Sequence, residues 1–215
     1  MKISLLCSND RHPVVDSLRG WVKQMSTKGH DVSLEFDISQ LIAGDILFLV
    51  SFDKIVNETV RAKYKATLVL HASDLPKGRG WSPCIWSILE GANQITVTLL
   101  EASEHVDSGP IWLKTSFALE GHELFNEINS KLFSAQLFLM THVVENFPNI
   151  RPSLQIGEPG IYRKKRSPED SRIDPHKSIS EQFRLLRVVD SDRYPAFFEY
   201  QGHRYLIKIE KVKND

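Results

Sequence analysis

The chain has 215 residues, of which 41% are hydrophobic and 25% are charged, an ordinary composition for a globular protein with a buried core. Its 27 Lys and Arg residues balance its 27 Asp and Glu residues, and this zero formal charge argues against electrostatic capture of nucleic acid. Only Cys7 and Cys84 are cysteines, which excludes a disulfide scaffold or a cysteine-rich zinc site and favours a cytoplasmic protein.

The first half of the chain predicts β-strands that alternate with helices. Lys2–Cys7 is an apolar run too short for a secretory signal, and no run approaches the roughly 18 apolar residues of a membrane span. Asp45–Val50 and Thr67–His71 are further apolar runs, as expected of strands covered on both faces. Apolar residues at helical spacing between 18 and 25 predict a helix. This order indicates an α/β fold with a mostly parallel, twisted sheet flanked by helices.

The second half of the chain begins with a predicted helix at Ser82–Glu90, for which Ser82 is the expected N-cap. Ile95–Leu100 and Ile111–Leu119 predict two strands on either side of a polar loop. A long apolar stripe between His122 and Phe147 predicts an amphipathic helix.

The remainder of the chain predicts a small separate unit. Pro148–Gly160 contains three prolines and two glycines, and this composition favours a linker. A capping box that begins at Ser178 predicts a short helix, and the Gln201-Gly202 pair predicts a β-hairpin. We therefore predict a domain at residues 1–150 and a C-terminal extension of helix and hairpin at residues 151–215.

Two residues are candidates for chemistry. Ligands of open parallel sheets bind at the carboxyl ends of the strands, and His71 ends a predicted strand just before a polar, glycine-bearing loop. A lone histidine is more often structural. Asp107 is either a turn aspartate preceding Gly109 or a carboxylate that orients His71. The residue types leave both interpretations open.

The stretch from His71 to Gly109 resembles the folate-dependent formyltransferases. Members share Asn-x-His-x-Ser-x-Leu-Pro, then Arg-Gly, a helix bearing Pro and Trp, and an Asp-x-Gly loop. The tail, from Arg166 to Asp174 and from Tyr194 to Phe197, is similar to that of nucleotide-sugar N-formyltransferases. The loop sequence at residues 71–83 most resembles members of the pseudaminic-acid pathway. The matching residues are His71-Ala72-Ser73-Asp74-Leu75-Pro76, Arg79-Gly80, Pro83, Trp86 and Asp107-Ser108-Gly109.

The resemblance implies a Rossmann-like domain that transfers a formyl group from N10-formyltetrahydrofolate to a primary amine. The expected acceptor is a nucleotide-linked amino-deoxy sugar, such as a UDP-4-amino-4,6-dideoxy-N-acetyl sugar used for surface glycans. No metal is expected, since the eight histidines form no H-x-x-x-H pair. Neither a nucleic acid nor a membrane is an expected partner, and the hairpin of the tail favours a homodimer.

The resemblance also implies roles for individual residues. His71 would stabilise the oxyanion or relay a proton, Asp107 would orient His71 and help to deprotonate the amine, and Ser73 is a further catalytic candidate. Val69 departs from the family, because the catalytic asparagine falls at this position. Loss of one oxyanion donor typically costs about a hundred- to a thousandfold in rate, so we expect His71, Ser73, a backbone N–H or a water to replace it.

Two further groups of residues are expected around the reacting centre. Arg and Lys suit a diphosphate and Trp can stack on a base or sugar, whereas the basic run at residues 163–166 is interpreted as a solvated face. The expected acceptor contacts are Lys77, Arg79, Gly80 and Trp81. The expected formyl-donor contacts are Ser51, Phe52, Ile55 and Val56 on one loop and Ala102, Glu104 and His105 on another.

Three alternatives remain. Methionyl-tRNA formyltransferases carry a larger basic C-terminal domain, whereas about fifty residues follow the predicted linker. A hydrolase built on Ser73, His71 and Asp107 would lack the G-x-S-x-G elbow. A folate- or sugar-binding protein without turnover would follow from the loss of the asparagine at Val69.

Overall fold

A six-stranded sheet forms the centre of the computed structural model, which describes residues 1–147 and 149–212. Its strand order is β2-β1-β3-β4-β5-β6; the first four strands in this order are parallel, and β5 and β6 are each antiparallel to the strand before. The predicted mostly parallel sheet is therefore confirmed. The strands are β1 Lys2–Leu6, β2 Asp31–Glu35, β3 Gly44–Leu49, β4 Tyr64–His71, β5 Gln94–Glu101 and β6 Ile111–Ala118.

Helices cover the sheet unequally on its two faces. Alternate residues of β1, β3 and β4 pack against α1 and α4 in the main core, where Trp21 meets Phe48 edge to face and donates to the Thr141 hydroxyl at 2.9 Å. On the opposite face a smaller cluster joins Leu47 and Leu49 to Val56. The helices are α1 Val15–Thr27, α2 Glu58–Arg61, α3 Pro83–Leu89, α4 Phe125–Asn146 and α5 Ile179–Leu186.

The smaller cluster lies beneath the loops that follow the strands. Because β1, β3 and β4 are parallel, the loops after them meet at one edge of the sheet. The Ser8 hydroxyl and the Asp53 carboxylate join the first two of these loops at 2.8 Å. The loop after β5 reaches the same face, where Ala102 packs against the smaller cluster.

The C-terminal extension contains the predicted helix, α5, and the predicted hairpin, β7 Ala196–Tyr200 with β8 His203–Ile207. One buried ion pair attaches it to the main domain. The Arg187 side chain donates to a Glu123 carboxylate oxygen and to the Glu123 carbonyl, both at 2.8 Å, and both side chains are less than 5% exposed. Arg187 follows α5 and Glu123 precedes α4, so this contact fixes the extension to the start of α4.

One local prediction was wrong. Ser82 makes no side-chain cap bond to α3, because it adopts a left-handed backbone conformation with φ of +50°.

Replacement of Glu123 by Gln should destabilise the fold by about 3 kcal/mol near pH 7, because it leaves the buried Arg187 guanidinium without a counter-charge. Urea unfolding measures this loss. Glu120→Gln is the matched control, since the Glu120 side chain is 76% exposed, and its effect should stay within about 0.5 kcal/mol.

The same pair should make stability depend on acid pH. Burial alone raises the pKa of Glu123, but hydrogen bonds from Lys131 and from the Glu120 and Gly121 N–H groups outweigh burial and lower this pKa from 4.5 to about 2. The contribution is therefore fully present above about pH 4.5 and is lost as the pH falls through about 2. An equal acid loss of stability in wild type and Glu123→Gln would contradict this assignment.

Candidate active site

His71 and Asp107 face each other at the edge of the sheet. His71 is the last residue of β4, and Asp107 lies in the loop after β5. The His71 Nδ1 atom is 3.4 Å from an Asp107 carboxylate oxygen, and the two side chains are 8% and 7% exposed. The structure therefore brings together the two residues that the sequence left unconnected.

One short loop holds both side chains. The His71 Nε2 atom lies 2.9 Å from the Gly78 carbonyl oxygen, and the Gly80 N–H donates to the second Asp107 carboxylate oxygen at 2.8 Å. A carbonyl oxygen can only accept, so Nε2 carries the hydrogen in this arrangement. Both ring nitrogens of His71 thus face acceptor oxygens.

The Asp107 loop is tightly constrained. Asp107 has a φ of +56°, a left-handed conformation that non-glycine residues adopt at a cost of about 1–3 kcal/mol. Two residues later, Gly109 lies so close to the Glu101 backbone that a Cβ atom would clash with the Glu101 carbonyl. Asp107 is therefore a turn aspartate and a partner of His71 at once.

Val69 lies on the same face of β4 as His71, two residues earlier along the strand. It is half-buried and belongs to the apolar cluster with Phe52, Val56 and Ala102. A valine in this cluster offers no hydrogen-bond donor beside the imidazole.

The two loops expected to hold the formyl donor lie on either side of this apolar face. The Arg61 Nη1 atom donates to the Val56 carbonyl at 3.2 Å and to the Ser103 carbonyl at 3.0 Å, so one guanidinium ties the loops together. Ser51, Phe52 and Ala102 are half-buried, Val56 is buried, and Ile55, Glu104 and His105 are exposed.

Ser73 makes its hydrogen bonds to residues other than His71 and Asp107. Its hydroxyl donates to the Lys77 carbonyl at 2.8 Å and its own carbonyl accepts from the Thr98 hydroxyl at 2.6 Å. These contacts brace the loop that carries Gly78 and Gly80. Lys77 is exposed on this loop, and Arg79 and Trp81 are half-buried.

The segment at residues 151–166, hereafter the strap, crosses this loop. Its composition favours a linker in its first part and a solvated face at its basic end, where Lys164 and Lys165 are exposed and Arg163 and Arg166 are half-buried. Arg163 also pairs through its backbone with Arg79 and Trp81, with hydrogen bonds of 2.8 and 3.0 Å. Lys165 lies over the Trp81 ring, with its Nζ 4.5 Å from the ring centroid. An otherwise irregular segment thus supports the candidate site.

The strap also contributes a side chain that sequence analysis missed. The Gln155 amide nitrogen donates to the carbonyl oxygens of Asp107 and Gly109, both at 2.9 Å, and its oxygen accepts from Arg79 at 3.2 Å. A single glutamine between prolines and glycines has no periodic or motif signal that would identify it.

Other titratable groups near this edge are poor candidates for chemistry. Burial raises the pKa of Cys7, and burial raises that of Cys84 to about 12, so both thiols are protonated near neutral pH. Burial and the nearby Arg193 guanidinium lower the pKa of His12 to about 4. His12 is therefore neutral near pH 7, and its Nδ1 atom accepts from the Val14 N–H at 3.2 Å.

Residues 1–147 and 149–212 contain no group of three His, Cys, Asp or Glu side chains arranged to hold a metal ion. Within these same ranges, every helix is too short or too polar to cross a membrane.

The sequence profile of the family described as formyl transferase matches residues 26–144, more than half of the chain. Together with the Rossmann-like sheet and the paired imidazole and carboxylate at its edge, this match shows that the chain belongs to the formyl transferase family.

Curated relatives include methionyl-tRNA formyltransferases of Rickettsia massiliae and Rickettsia africae, both 29% identical over 186 and 170 residues. These alignments cover 86% and 78% of this chain but 59% and 55% of the relatives. The chain therefore spans little more than half the length of these relatives.

Solved structures with the same fold include formyltransferases and a protein bound to tetrahydrofolic acid. A methionyl-tRNA formyltransferase from Clostridium thermocellum has a TM-score of 0.83 at 19% identity and covers 99% of this chain and 94% of its own. A 4-N formyltransferase from Francisella tularensis has a TM-score of 0.70 at 18% identity, and the alignment covers 99% of this chain and 98% of its own. HypX from Aquifex aeolicus in complex with tetrahydrofolic acid has a TM-score of 0.78 at 23% identity. That alignment covers 96% of this chain and 37% of HypX. At these identities the likeness shows the fold.

Replacement of Gly80 by Ala should lower the free energy of unfolding by at least about 1 kcal/mol, because φ at this position is +102° and the new Cβ would clash with the Arg163 carbonyl. Urea unfolding measures the change. Gly20→Ala is the matched control: Gly20 lies in α1 with open space around it, and alanine should stabilise the helix by about 0.5–1 kcal/mol. Equal effects of the two substitutions would rule out the close approach at Gly80.

Proposed function

We propose that this protein transfers a formyl group from N10-formyltetrahydrofolate to the primary amine of a nucleotide-linked amino sugar. The observation that carries this proposal is the convergence of His71 and Asp107 at the sheet edge of a chain in the formyl transferase family. Arg61 joins the two loops expected to hold the donor, and the loop with Lys77, Arg79 and Trp81 contacts His71 through the Gly78 carbonyl.

The proposed reaction needs a group that can give a proton to the formyl oxygen as the amine attacks. Each ring nitrogen of His71 has an acceptor oxygen beside it, and Nε2 carries a hydrogen that it can donate. An incoming formyl oxygen would replace the Gly78 carbonyl at Nε2. The amine would bond to the formyl carbon, the bond from that carbon to N10 of the donor would break, and Asp107 would pass the proton lost by the amine to N10. The His71–Asp107 separation of 3.4 Å is long for a hydrogen bond, and such contacts commonly shorten when substrate binds.

The residues between the donor loops fit a folate ring. The half-buried Phe52 and Val69 offer apolar surface, which suits the faces of a flat heterocycle. The Thr67 hydroxyl on the same face of β4 is buried and has no hydrogen-bond partner among the described residues, so a polar group of a ligand has an available partner near this surface. When bound, the donor supplies the one-carbon unit, and Arg61 keeps the two loops at a fixed separation.

The acceptor is proposed to lie on the loop after β4 and the adjoining strap. Lys77, Arg79 and Lys165 supply positive charge for a diphosphate, and Trp81 supplies an aromatic face. A sugar N-formyltransferase from Shewanella is among the solved structures with this fold, which supports a sugar acceptor. Zero formal charge provides no long-range field for a polynucleotide.

Methionyl-tRNA is the second candidate acceptor. The curated relatives named above are methionyl-tRNA formyltransferases, and the structure from Clostridium thermocellum has the higher TM-score of the two formyltransferases compared. The same positive side chains could then contact the phosphates of an RNA end instead of a diphosphate.

Incubation with N10-formyltetrahydrofolate and candidate acceptors tests the function. Mass spectrometry should show the gain of one formyl group on a UDP- or dTDP-linked 4-amino-4,6-dideoxy sugar and none on methionyl-tRNA. His71→Ala should lower the rate at least about a hundredfold, because it removes the proton donor. The exposed His142 on α4 provides the control, since His142→Ala should retain the wild-type rate.

Two results would overturn this proposal. Formylation of methionyl-tRNA alone would establish the second candidate. Binding of tetrahydrofolate without transfer to any acceptor would establish the non-catalytic alternative.

Replacement of Val69 by Asn should raise kcat about tenfold or more, because it adds a donor beside His71 where negative charge develops. Val60→Asn is the matched control: it introduces the same amide into the same apolar cluster from α2 and should not raise kcat. Steady-state kinetics with the best acceptor provide the measurement. An unchanged kcat in Val69→Asn would mean that another group already supplies this contact.

A further inference from the structure

Gln155 differs from every neighbouring residue of the strap. In the described stretch 151–162, all residues are exposed except Gln155, which is half-buried. Its side chain turns inward to the loops that carry the candidate site, whereas Leu154 and Ile156 beside it are 78% and 89% exposed. An isolated inward polar side chain needs partners within the protein, and Gln155 has three.

The three partners determine which way the amide points. The Arg79 guanidinium can only donate, and the carbonyls of Asp107 and Gly109 can only accept. The amide oxygen must therefore face Arg79 and the NH2 group must face the two carbonyls, with each of its hydrogens used once. A carboxylate of the same shape could contact Arg79 but could donate to neither carbonyl.

The contacts lie where the Asp107 loop most needs support. Asp107 has a left-handed backbone, which persists only where its surroundings hold it in place. The Gly80 N–H holds the Asp107 carboxylate, and Gln155 holds the backbone carbonyls of Asp107 and Gly109. The strap thus acts on the backbone of the residue that faces His71.

We propose that Gln155 is a positioning residue for the formyl-transfer site, which keeps the Asp107 carboxylate directed at His71. The inference rests on the proposed function. Two of the three Gln155 contacts are to the backbone of Asp107 and Gly109, so its loss should impair the chemical step more than the binding of the formyl donor.

The informative substitution is Gln155→Glu, which keeps the shape and the acceptor for Arg79 but removes both donors. We expect kcat to fall roughly tenfold to a hundredfold, as for other small displacements of catalytic groups, with KM for the formyl donor changed less than about twofold. Gln155→Met removes all three hydrogen bonds and should lower kcat similarly. If one of the two variants fails to fold, the other still tests the positioning role.

A spectroscopic measurement tests the positioning without any activity. The ring nitrogen resonances of 15N-labelled His71 should shift in Gln155→Glu in the same direction as in Asp107→Asn, because both changes disturb the carboxylate that faces Nδ1. Gln94→Met is the matched control. It removes the hydrogen bond of an exposed glutamine amide to Ser116 and should leave both kcat and the His71 resonances as in wild type.

The outcomes separate the inference from the function beneath it. A wild-type protein that transfers no formyl group would overturn the proposed function, and the His71 resonances would still decide the positioning. A Gln155→Glu variant with lower thermal stability but wild-type kcat and wild-type His71 resonances would overturn the inference, since Gln155 would then stabilise the fold only.

Discussion

The close approach of three backbone segments at Gly80 is the constraint on which the site depends. The Gly80 N–H holds the Asp107 carboxylate, its α-carbon faces the Arg163 carbonyl, and two residues earlier the Gly78 carbonyl holds His71. A side chain at residue 80 would push these segments apart. One loop therefore sets the relation between an imidazole and a carboxylate, although the strands before them, β4 and β5, run in opposite directions.

Residues beyond 150 contribute to the site as well as to the fold. The strap pairs with the loop after β4 through Arg163, and Gln155 connects that loop to the loop after β5. The buried pair of Arg187 and Glu123 then fixes the following extension to the start of α4. Groups that react on loops must be held by packed elements behind them, and here the extension supplies part of that support.

The sequence predicted the elements with strong periodic patterns. The apolar runs at β1, β3 and β4, the stripe of α4 and the turn of the C-terminal hairpin each follow from local chemistry, which acts between neighbours in the chain. The prediction of an N-cap at Ser82 was wrong, because the Trp81 backbone is bonded to Arg163, far along the chain. Ser82 itself then adopts a left-handed conformation at the start of α3. Gln155 could not be predicted, since its partners lie 46 to 76 residues away.

The sequence by itself determined the α/β class, the order of the elements and, through a motif, which imidazole and which carboxylate are candidates for chemistry. Hydrophobic periodicity and glycine placement are local properties, so they can be recognised without coordinates. Only the tertiary structure decided that Asp107 is both a strained turn residue and the partner of His71, and that Val69 lies beside that pair in an apolar cluster. These relations arise between segments that come together only when the sheet is complete.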